Sequence, residues 1–308
     1  MTEPGTPNPE PREGGALSAA DVAIETLGPA RLASPVAGHL GAAAVHYVGA
    51  ADRVLIDDSV SALRAAKGAL DALPSFELAG PRDKIFFDPR TLRCGIVTCG
   101  GLAPGLNNVI RGGVLGLGNG CGGGRPPVCR PGYEGRCAGH GREPMALTPE
   151  SVAHIHHEGG TVLGTSRGSQ EPAELVDHLE ANGVGVLFVV GGDGSLAGAL
   201  RIAAAVRRRE ARIAVVGVPK TIDNDIGFID RSFGYLSAYS AAVDAIRGAR
   251  VEAMAARDGI GLVKVMGRHS GFLALGAAYG QPDILLVPEH RLNVDMLVTE
   301  GDGISDSR

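Results

Sequence analysis

The chain has 308 residues, 44% of them hydrophobic, so it can bury one large core or two ordinary ones. Aromatic residues make up 4% and Trp is absent, so the core must consist mainly of aliphatic side chains, which is typical of parallel α/β sheets. The net charge of −5 argues against a general nucleic-acid binder, and no apolar run reaches the ~18 residues of a membrane span. Five Cys in so long a chain favour a reducing cytoplasm over a disulfide scaffold.

The first 92 residues precede the regular part of the sequence. Residues 1–19 begin with a stretch rich in Pro, Gly and Glu and predict a disordered tail rather than a signal peptide. Residues 20–92 form an N-terminal extension with a mixed pattern. Within it, Asp52–Asp57 predicts a short strand and Ser59–Leu73 predicts a helix with its apolar residues on one side.

A regular alternation of short apolar strands and helices begins at Cys94. It predicts an α/β fold, with a Rossmann-like parallel sheet domain over residues 93–233 and an incomplete second α/β domain over residues 234–308. The predicted strands are Cys94–Cys99, Thr161–Leu163, Val184–Val190, Ile213–Val218, Ile260–Val265 and Ile284–Val287. The predicted helices are Leu106–Leu117, Pro149–His157, Glu171–Asn182, Ser195–Arg208, Tyr235–Ala256 and Gly271–Ala278. Ligands of such sheets lie beyond the carboxyl ends of the strands.

Two segments contain side chains that could bind a metal. One lies in residues 119–143, where Gly, Pro and Arg replace an expected strand, and holds Cys121, Cys129, Cys137 and His140. Its spacings match no common zinc pattern, so a divergent loop is the preferred interpretation. The other holds His154, His156 and His157. These residues are better explained as the end of a helix, where a partly cationic His is favourable.

The strand Val184–Val190 leads into the string Gly-Gly-Asp-Gly-Ser at Gly191–Ser195. Glycines let a phosphate chain lie against the backbone, and the amides at a helix start point towards anionic oxygens. Asp193 supplies a hard oxygen ligand for Mg²⁺. The alternative is a strand-to-helix turn capped by Asp or Ser. Because similar strings occur in NAD kinases and diacylglycerol kinases, the motif indicates a phosphate donor site and names no acceptor.

Two further loops follow predicted strands. Thr98–Asn107 contains two glycines before a helix start, which is a weak anion-binding signal that a generic glycine turn would equally explain. Lys220–Asp225 follows the strand Ile213–Val218 and places two carboxylates two residues apart beside a Lys and a Thr. One carboxylate can accept the proton of an attacking hydroxyl, while the other orients it or helps to hold a metal. An acidic solvated turn is the alternative.

The string PKTIDND at Pro219–Asp225 resembles an element of the phosphofructokinase family. Four further elements agree in order and spacing: TCGGLAPGLN, LGTSRG, GGDGS and KVMGRHSGF. The resemblance covers residues 79–289 and is strongest to the extended bacterial branch that includes plant and trypanosomatid relatives. It implies ATP-dependent phosphorylation of fructose 6-phosphate to fructose 1,6-bisphosphate in glycolysis, with Mg²⁺ as cofactor and ATP as co-substrate. It also implies a cytoplasmic, allosteric homo-oligomer with no nucleic-acid or membrane partner.

The resemblance also implies roles for individual residues. Those that would bind the nucleotide phosphates are Gly101, Arg167, Gly168, Gly192, Asp193, Gly194 and Ser195, with Asp193 on the metal. Those that would contact the sugar phosphate are Thr221, Ile222, Asp223, Met266, Gly267 and Arg268. Asp223 would be the general base, supported by Lys220, Thr221 and Asp225. Glu289 resembles a Pro-Glu element of the family that lines the cleft.

Two features of the sequence depart from the family's pattern. Gly132–Gly135 resembles the family's GYEG loop without the strand before it, and the last residues do not resemble the family's continuation, which supplies acceptor-side groups. We therefore expect a truncated chain with impaired turnover, or a non-catalytic nucleotide-binding fragment.

Two residues bear on the phosphate donor that the resemblance implies. Gly194 favours ATP because an Asp at this position accompanies pyrophosphate use in the family, whereas a Lys at position 220 is common in the family's pyrophosphate enzymes. An acceptor such as NAD or a lipid is disfavoured by the PKTIDND and MGR elements.

Overall fold

A computed structural model describes residues 17–36, 46–120, 130–131, 145–165 and 171–290. The chain divides into two compact units, Met1–Phe86 and Phe87–Arg308, which are described separately. Within the described residues, no helix is both long enough and apolar enough to cross a membrane. The domain boundaries expected at residues 92 and 233 stay predictions.

The first unit contains two antiparallel strand pairs and one short helix. In chain order its elements are β1 (Leu32–Ala33), β2 (Arg53–Leu55), α1 (Val60–Ala65), β3 (Ser75–Glu77) and β4 (Lys84–Ile85). Strand β1 pairs with β4, and β2 pairs with β3. The predicted strand at Asp52–Asp57 is confirmed as β2. The predicted helix is shorter than expected because the backbone turns left-handed at Lys67 and Gly68.

The second unit is an α/β domain. Its elements are β5 (Cys94–Thr98), α2 (Leu106–Gly120), β6 (Arg130–Pro131), α3 (Pro172–Ala181), β7 (Val186–Gly191), α4 (Asp193–Arg208), β8 (Ala214–Pro219), α5 (Tyr235–Ala255) and α6 (Phe272–Ala277). All four strands are parallel, in the order β6-β5-β7-β8. The chain moves from β5 to β6 on one side and then crosses to β7 on the other. Such a reversal of strand order opens a crevice beyond the carboxyl ends, where ligands of these folds bind.

Neighbouring residues of β7 face opposite sides of the sheet, as the pleat requires. Val190 packs in a core with Leu106 and Ile110 of α2, while Leu187 and Val189 pack in a second core with α3 and α4. Buried apolar side chains therefore cover both faces of the sheet. This arrangement confirms the predicted parallel sheet with helices on both sides.

Three predicted strands are wrong, because the structure has no strand at Thr161–Leu163, Ile260–Val265 or Ile284–Val287. Apolar side chains stabilise a strand only when neighbouring strands pair with it and bury them. In the second of these segments Ile260 is 93% exposed and Leu262 is 87% exposed, so that burial is absent. The described part of the second predicted domain, residues 234–290, consequently contains helices α5 and α6 and no strand.

The predicted helix Pro149–His157 is also wrong, because only a 3₁₀ turn at Ile155–His157 forms there. The hydroxyl of Ser151 donates to the Thr148 carbonyl and accepts from the Thr148 amide, so the side chain competes with helical hydrogen bonding. The Cys-containing segment falls almost entirely outside the described residues, so its metal hypothesis stays untested.

Candidate active site

Three loops meet at the carboxyl edge of the parallel sheet. The register pairs Thr98 of β5 with Val190 of β7, and Gly191 of β7 with Pro219 of β8. The residues that follow these three strand ends are the two glycine loops and the PKTIDND loop. The structure therefore brings the three sequence motifs side by side.

The Gly-Gly-Asp-Gly-Ser loop turns tightly from β7 into α4. Gly192 is the N-cap of α4, and its carbonyl accepts hydrogen bonds from the amides of Ser195 and Leu196, each at 2.9 Å. Asp193, the first residue of the helix, is exposed. Apart from its chain neighbours and the nearby backbone of its own helix, nothing described lies within 4 Å of where a Cβ would stand at Gly194. The start of α4 thus presents amides, a carboxylate and open space at the end of the sheet.

The other glycine loop faces this helix start across a buried lysine. Gly100 has a φ of 81°, which favours glycine, and a Cβ there would stand 3.8 Å from the Lys220 ammonium and 3.9 Å from the Ser195 hydroxyl. Lys220 is 6% exposed, and its ammonium donates a hydrogen bond to the Gly101 carbonyl. Its backbone amide donates to the Gly191 carbonyl at 2.9 Å. Lys220 therefore places a positive charge where both predicted phosphate-binding loops converge.

A hydrogen-bond network that the sequence analysis missed holds residues 158–165 against the first glycine loop. The Thr98 hydroxyl donates to the Gly164 carbonyl at 2.5 Å, and the Thr165 hydroxyl donates to the Gly100 carbonyl at 2.6 Å. The buried Asn107 amide group donates to the Glu158 carbonyl at 3.0 Å and accepts from the Val162 amide at 2.9 Å. A polar Asn among the apolar residues at the start of α2 was the available signal. Arg167 and Gly168 follow this segment but lie outside the described residues.

Internal hydrogen bonds shape the PKTIDND loop. The Thr221 hydroxyl donates to Asp225 Oδ1 at 2.8 Å and accepts from the Asp223 amide at 3.0 Å. Asn224 has a φ of 55°, and its side chain accepts from the Ser232 amide at 2.8 Å. These bonds fix the loop with Asp223 at its turn and Ile222 half-buried beside it. Asn224 and Ser232 are supporting residues that no spacing rule identifies.

The carboxylate of Asp223 lies in an environment that favours its protonated form. Burial raises its pKa, the nearby Asp225 raises it further, and Arg268 opposes the shift. Asp223 Oδ1 is buried and has no hydrogen-bond partner in the part of the chain that the structure describes. Buried polar atoms are normally paired, so an unpaired carboxylate oxygen of raised pKa indicates a site for a reacting proton.

Asp223 opens onto a cleft of about 650 Å³, whose lining residues are Asp223, Lys264, Val265, Met266, Gly267 and Arg268. The structure therefore brings three of the predicted sugar-phosphate residues, Met266, Gly267 and Arg268, together with the predicted base. The Ser270 hydroxyl donates to the Asp223 carbonyl at 3.2 Å, and Glu289 Oε1 accepts from the Gly271 amide at 2.7 Å. Glu289 thus supports the turn after the cleft-lining segment and does not itself line the cleft.

The three His residues at positions 154, 156 and 157 lie at or next to the 3₁₀ turn. The His156 and His157 rings lie with centroids 3.8 Å apart and are tilted by 42°, and burial lowers the pKa of His156. No group of three or more metal-binding side chains occurs among the residues that the structure describes. The predicted helix end that would have favoured these His is replaced by the 3₁₀ turn.

Gly191→Ala is expected to lower the free energy of unfolding by about 1–3 kcal/mol, the typical cost of overpacking. An added Cβ would overlap the Cβ and Oγ of Ser195 and stand 3.3 Å from the Cys99 carbonyl. The matched control is Gly112→Ala in α2, where a Cβ meets no described atom within 4 Å. Chemical denaturation of both variants checks the difference, and equal stabilities would contradict the close approach at Gly191.

Comparison with known proteins agrees with this geometry. A family model described as phosphofructokinase matches residues 93–305. The ATP-dependent 6-phosphofructokinase of Amycolatopsis methanolica is 48% identical over 287 residues, which cover 87% of this chain and 59% of the relative. The enzyme of the same name from Trypanosoma cruzi is 48% identical over 72% of this chain and 46% of its own. The chain therefore spans about half the length of the curated relatives it matches.

A solved structure shares the fold. The pyrophosphate-dependent phosphofructokinase of Marinobacter aquaeolei superimposes with a TM-score of 0.58 at 22% identity, covering 68% of this chain and 56% of the other. At that identity the similarity concerns the fold alone. The family match covers the sheet, all three loops and the cleft, and the chain belongs to the phosphofructokinase family.

Proposed function

We propose that this protein transfers the γ-phosphoryl group of ATP to the 1-hydroxyl of fructose 6-phosphate, giving fructose 1,6-bisphosphate and ADP. The observation that carries the proposal is the carboxylate of Asp223, which lines a cleft and has a buried Oδ1 without a hydrogen-bond partner among the described residues. The names of the similar curated proteins support ATP and the sugar phosphate as substrates. Homo-oligomeric assembly, allosteric control and a cytoplasmic location belong to the same proposal.

The donor phosphates would lie against the glycine loops at the carboxyl edge of the sheet. Gly101 and the start of α4 from Gly192 to Ser195 would contact them, and Lys220 would neutralise part of their charge. The exposed Asp193 carboxylate forms no ion pair or hydrogen bond with the described residues, so it is available to hold Mg²⁺. One carboxylate suits this ion, because Mg²⁺ at such sites is held mainly by phosphates and water. When bound, Mg²⁺ neutralises charge on the transferring group.

On the acceptor side, Asp223 would accept the proton of the sugar 1-hydroxyl as its oxygen bonds to the γ-phosphorus and the bond to the ADP oxygen breaks. A raised pKa makes Asp223 a stronger base than an ordinary Asp. Thr221 and Asp225 hold the loop, and Met266, Gly267 and Arg268, which line the same cleft, would contact the sugar phosphate. The residues otherwise act by positioning and by stabilising charge.

An acceptor comparison tests the proposal. The protein is incubated with Mg²⁺ and ATP and then with fructose 6-phosphate, NAD or diacylglycerol, and the phosphorylated products are identified. Fructose 1,6-bisphosphate is the expected product. Nucleotide binding without transfer to any acceptor would instead identify a non-catalytic nucleotide-binding protein, and transfer to NAD or the lipid would identify a different kinase.

Pyrophosphate is the second candidate donor, favoured by the lysine at position 220. The open space beside Gly194 favours ATP, because the α-phosphate of a nucleotide needs room that a larger side chain would occupy. Faster transfer from pyrophosphate than from ATP in the same assay would reverse the assignment.

Gly194→Asp is expected to lower kcat/KM for ATP by about tenfold or more while leaving the stability nearly unchanged. The protein accommodates the new side chain, since no described atom lies within 4 Å of the Cβ position, but its carboxylate would repel the nucleotide phosphates. Gly194→Ala is the control that adds bulk without charge and should have a smaller effect. Donor kinetics and thermal unfolding of both variants check this result, and unchanged ATP kinetics for Gly194→Asp would exclude Gly194 from the donor site.

A further inference from the structure

A hydrogen bond joins the loop that carries the proposed base to the segment that lines the cleft. Ser270 is half-buried and follows the cleft-lining residues 264–268. Its hydroxyl donates to the backbone carbonyl of Asp223 at 3.2 Å. Because this bond uses the backbone of Asp223, the carboxylate stays available to the cleft. Ser270 therefore links the base to the segment that contains Arg268.

The carboxylate of Glu289 holds the residue next to Ser270. Its Oε1 accepts a hydrogen bond from the amide of the buried Gly271 at 2.7 Å, and this bond lowers the pKa of Glu289. The carboxylate is therefore ionised at neutral pH, and ionised acceptors form stronger hydrogen bonds than neutral ones. A Cβ at Gly271 would stand 2.7 Å from the Cβ of Val287, so residues 287–289 pack closely against this turn.

Capping of helix α6 is the alternative explanation for these contacts, since the Phe272 amide donates to the Ser270 hydroxyl at 3.4 Å. The bond to Asp223 does not belong to such a cap, because Asp223 lies 47 residues earlier in the chain. The Tyr235 hydroxyl also donates to the Phe272 carbonyl at 2.9 Å. The turn at residues 270–272 is thus bonded to α5 as well as to the loop of the base.

We propose that Ser270 and Glu289 are positioning residues for the base. Glu289 holds Ser270 in place through the adjacent amide, and Ser270 holds the backbone of Asp223 beside the cleft-lining segment. The inference rests on the proposed function of the site. A base must lie within hydrogen-bond reach of the hydroxyl that it deprotonates, and a displacement of about 1 Å can lower a rate about 100-fold. Neither Ser270 nor Glu289 lines the cleft, so their loss should slow the transfer without weakening acceptor binding.

Three variants test the inference: Ser270→Ala, Glu289→Ala and the two combined. The single-turnover rate at saturating fructose 6-phosphate should fall about 10-fold in each single variant, which is typical of a lost hydrogen bond whose partner stays shielded. The affinity for fructose 6-phosphate, measured by calorimetry, should change by less than about threefold. The double variant should also lose about 10-fold rather than the roughly 100-fold of independent effects, because Glu289 acts through Ser270.

Two further variants separate positioning from a general loss of structure. Glu289→Gln should recover most of the rate, because its side-chain carbonyl can accept the same bond from the Gly271 amide. Glu252→Ala is the matched control, since it removes an exposed Glu from α5 and should leave both rate and affinity unchanged.

Amide hydrogen exchange of residues 219–225 supplies a measurement that needs no turnover. Ser270→Ala and Glu289→Ala should both raise the exchange rate of this loop, and the double variant should raise it no further. Glu252→Ala should leave it at the wild-type value.

The possible outcomes distinguish this inference from the proposed reaction. Wild-type rates in either single variant, or a loss mainly in affinity, would overturn the positioning role and leave the reaction intact. A loss of about 100-fold in the double variant would show that the two residues act independently, which contradicts the coupling of Glu289 to Ser270. If the wild type transfers no phosphate but both variants raise exchange in the loop, the positioning role stands and the reaction is refuted. Unchanged exchange in such a protein would refute both.

Discussion

Asp223→Asn is expected to lower the rate of phosphoryl transfer by about 10²- to 10⁴-fold, the range that a general base contributes. The amide keeps the shape of the side chain but cannot accept the proton of the sugar hydroxyl. The hydrogen bonds that shape the loop use the Asp223 backbone amide and carbonyl, so they survive the substitution. Affinity for fructose 6-phosphate should therefore change little. Single-turnover rates and acceptor binding, measured on the same preparation, check the two parts of this prediction.

The pH dependence separates a base from a positioning group. Because burial and Asp225 raise the pKa of Asp223, the acid limb of the wild-type rate profile should lie above the ordinary range of an Asp, and the Asn variant should lack it. Because the pKa of Asp223 is raised in the folded state, its ionised carboxylate lowers the free energy of unfolding at neutral pH. The Asn variant lacks that charge, so it should be at least as stable as the wild type at neutral pH. Asp225→Asn is the control, since Asp225 accepts a bond from Thr221. A loss below tenfold for Asp223→Asn, or a larger loss for Asp225→Asn, would assign the proton to Asp225.

Lys220→Met is expected to lower kcat/KM by about 10²- to 10³-fold, comparable with the loss of one preorganised donor from a site of developing charge. The Lys220 side chain lies between the two glycine loops, and the variant removes its positive charge. The Gly101 carbonyl then loses the hydrogen bond that the Lys220 ammonium donates. Methionine fills much of the space of the apolar lysine stem, so the loss that depends on the charge should appear in the kinetics. The affinity for Mg-ATP should fall with it, because the charge lies on the donor side.

Lys84→Met is the matched control for Lys220→Met, because it removes an exposed lysine from the other unit of the chain. Thermal unfolding of the two variants separates a folding defect from a catalytic one. If Lys220→Met bound and used ATP within tenfold of the wild type while folding normally, Lys220 would be a structural residue and the placement of the donor phosphates would be wrong.

The sheet and its helices could be predicted because their signals are local. Strands β5, β7 and β8 are short apolar runs, of which β7 ends in glycine and β8 in proline, and α4 begins at a glycine-rich cap. Each was predicted to within two residues of its observed bounds. The failed strand at Ile260–Val265 has an equally apolar sequence, but a strand exists only if another pairs with it, and no pattern within six residues contains that information.

Site residues that belong to a contiguous sequence motif could be predicted, whereas residues that act through contacts between distant parts of the chain could not. The PKTIDND string indicated Asp223 from the sequence alone. The Asn107 side chain donates to the Glu158 carbonyl, 51 residues away. Ser232 donates from its hydroxyl to the Thr221 carbonyl, 11 residues away, and from its amide to the Asn224 side chain, 8 residues away. Only the folded chain brings these groups together. Lys264 was visible as part of the KVMGR string, but its place in the same cleft as Asp223 emerged only from the structure.

The central claim is that Asp223 serves a phosphoryl transfer from ATP to fructose 6-phosphate at this cleft. A single-turnover experiment with protein in excess, Mg²⁺ and ATP labelled in its γ-phosphate measures the transfer directly, even when turnover is slow. The account predicts that the label appears on the 1-oxygen of fructose 1,6-bisphosphate and that Asp223→Asn slows its appearance at least 100-fold. Label released only as inorganic phosphate, or label transferred to the sugar equally fast by both proteins, would contradict it.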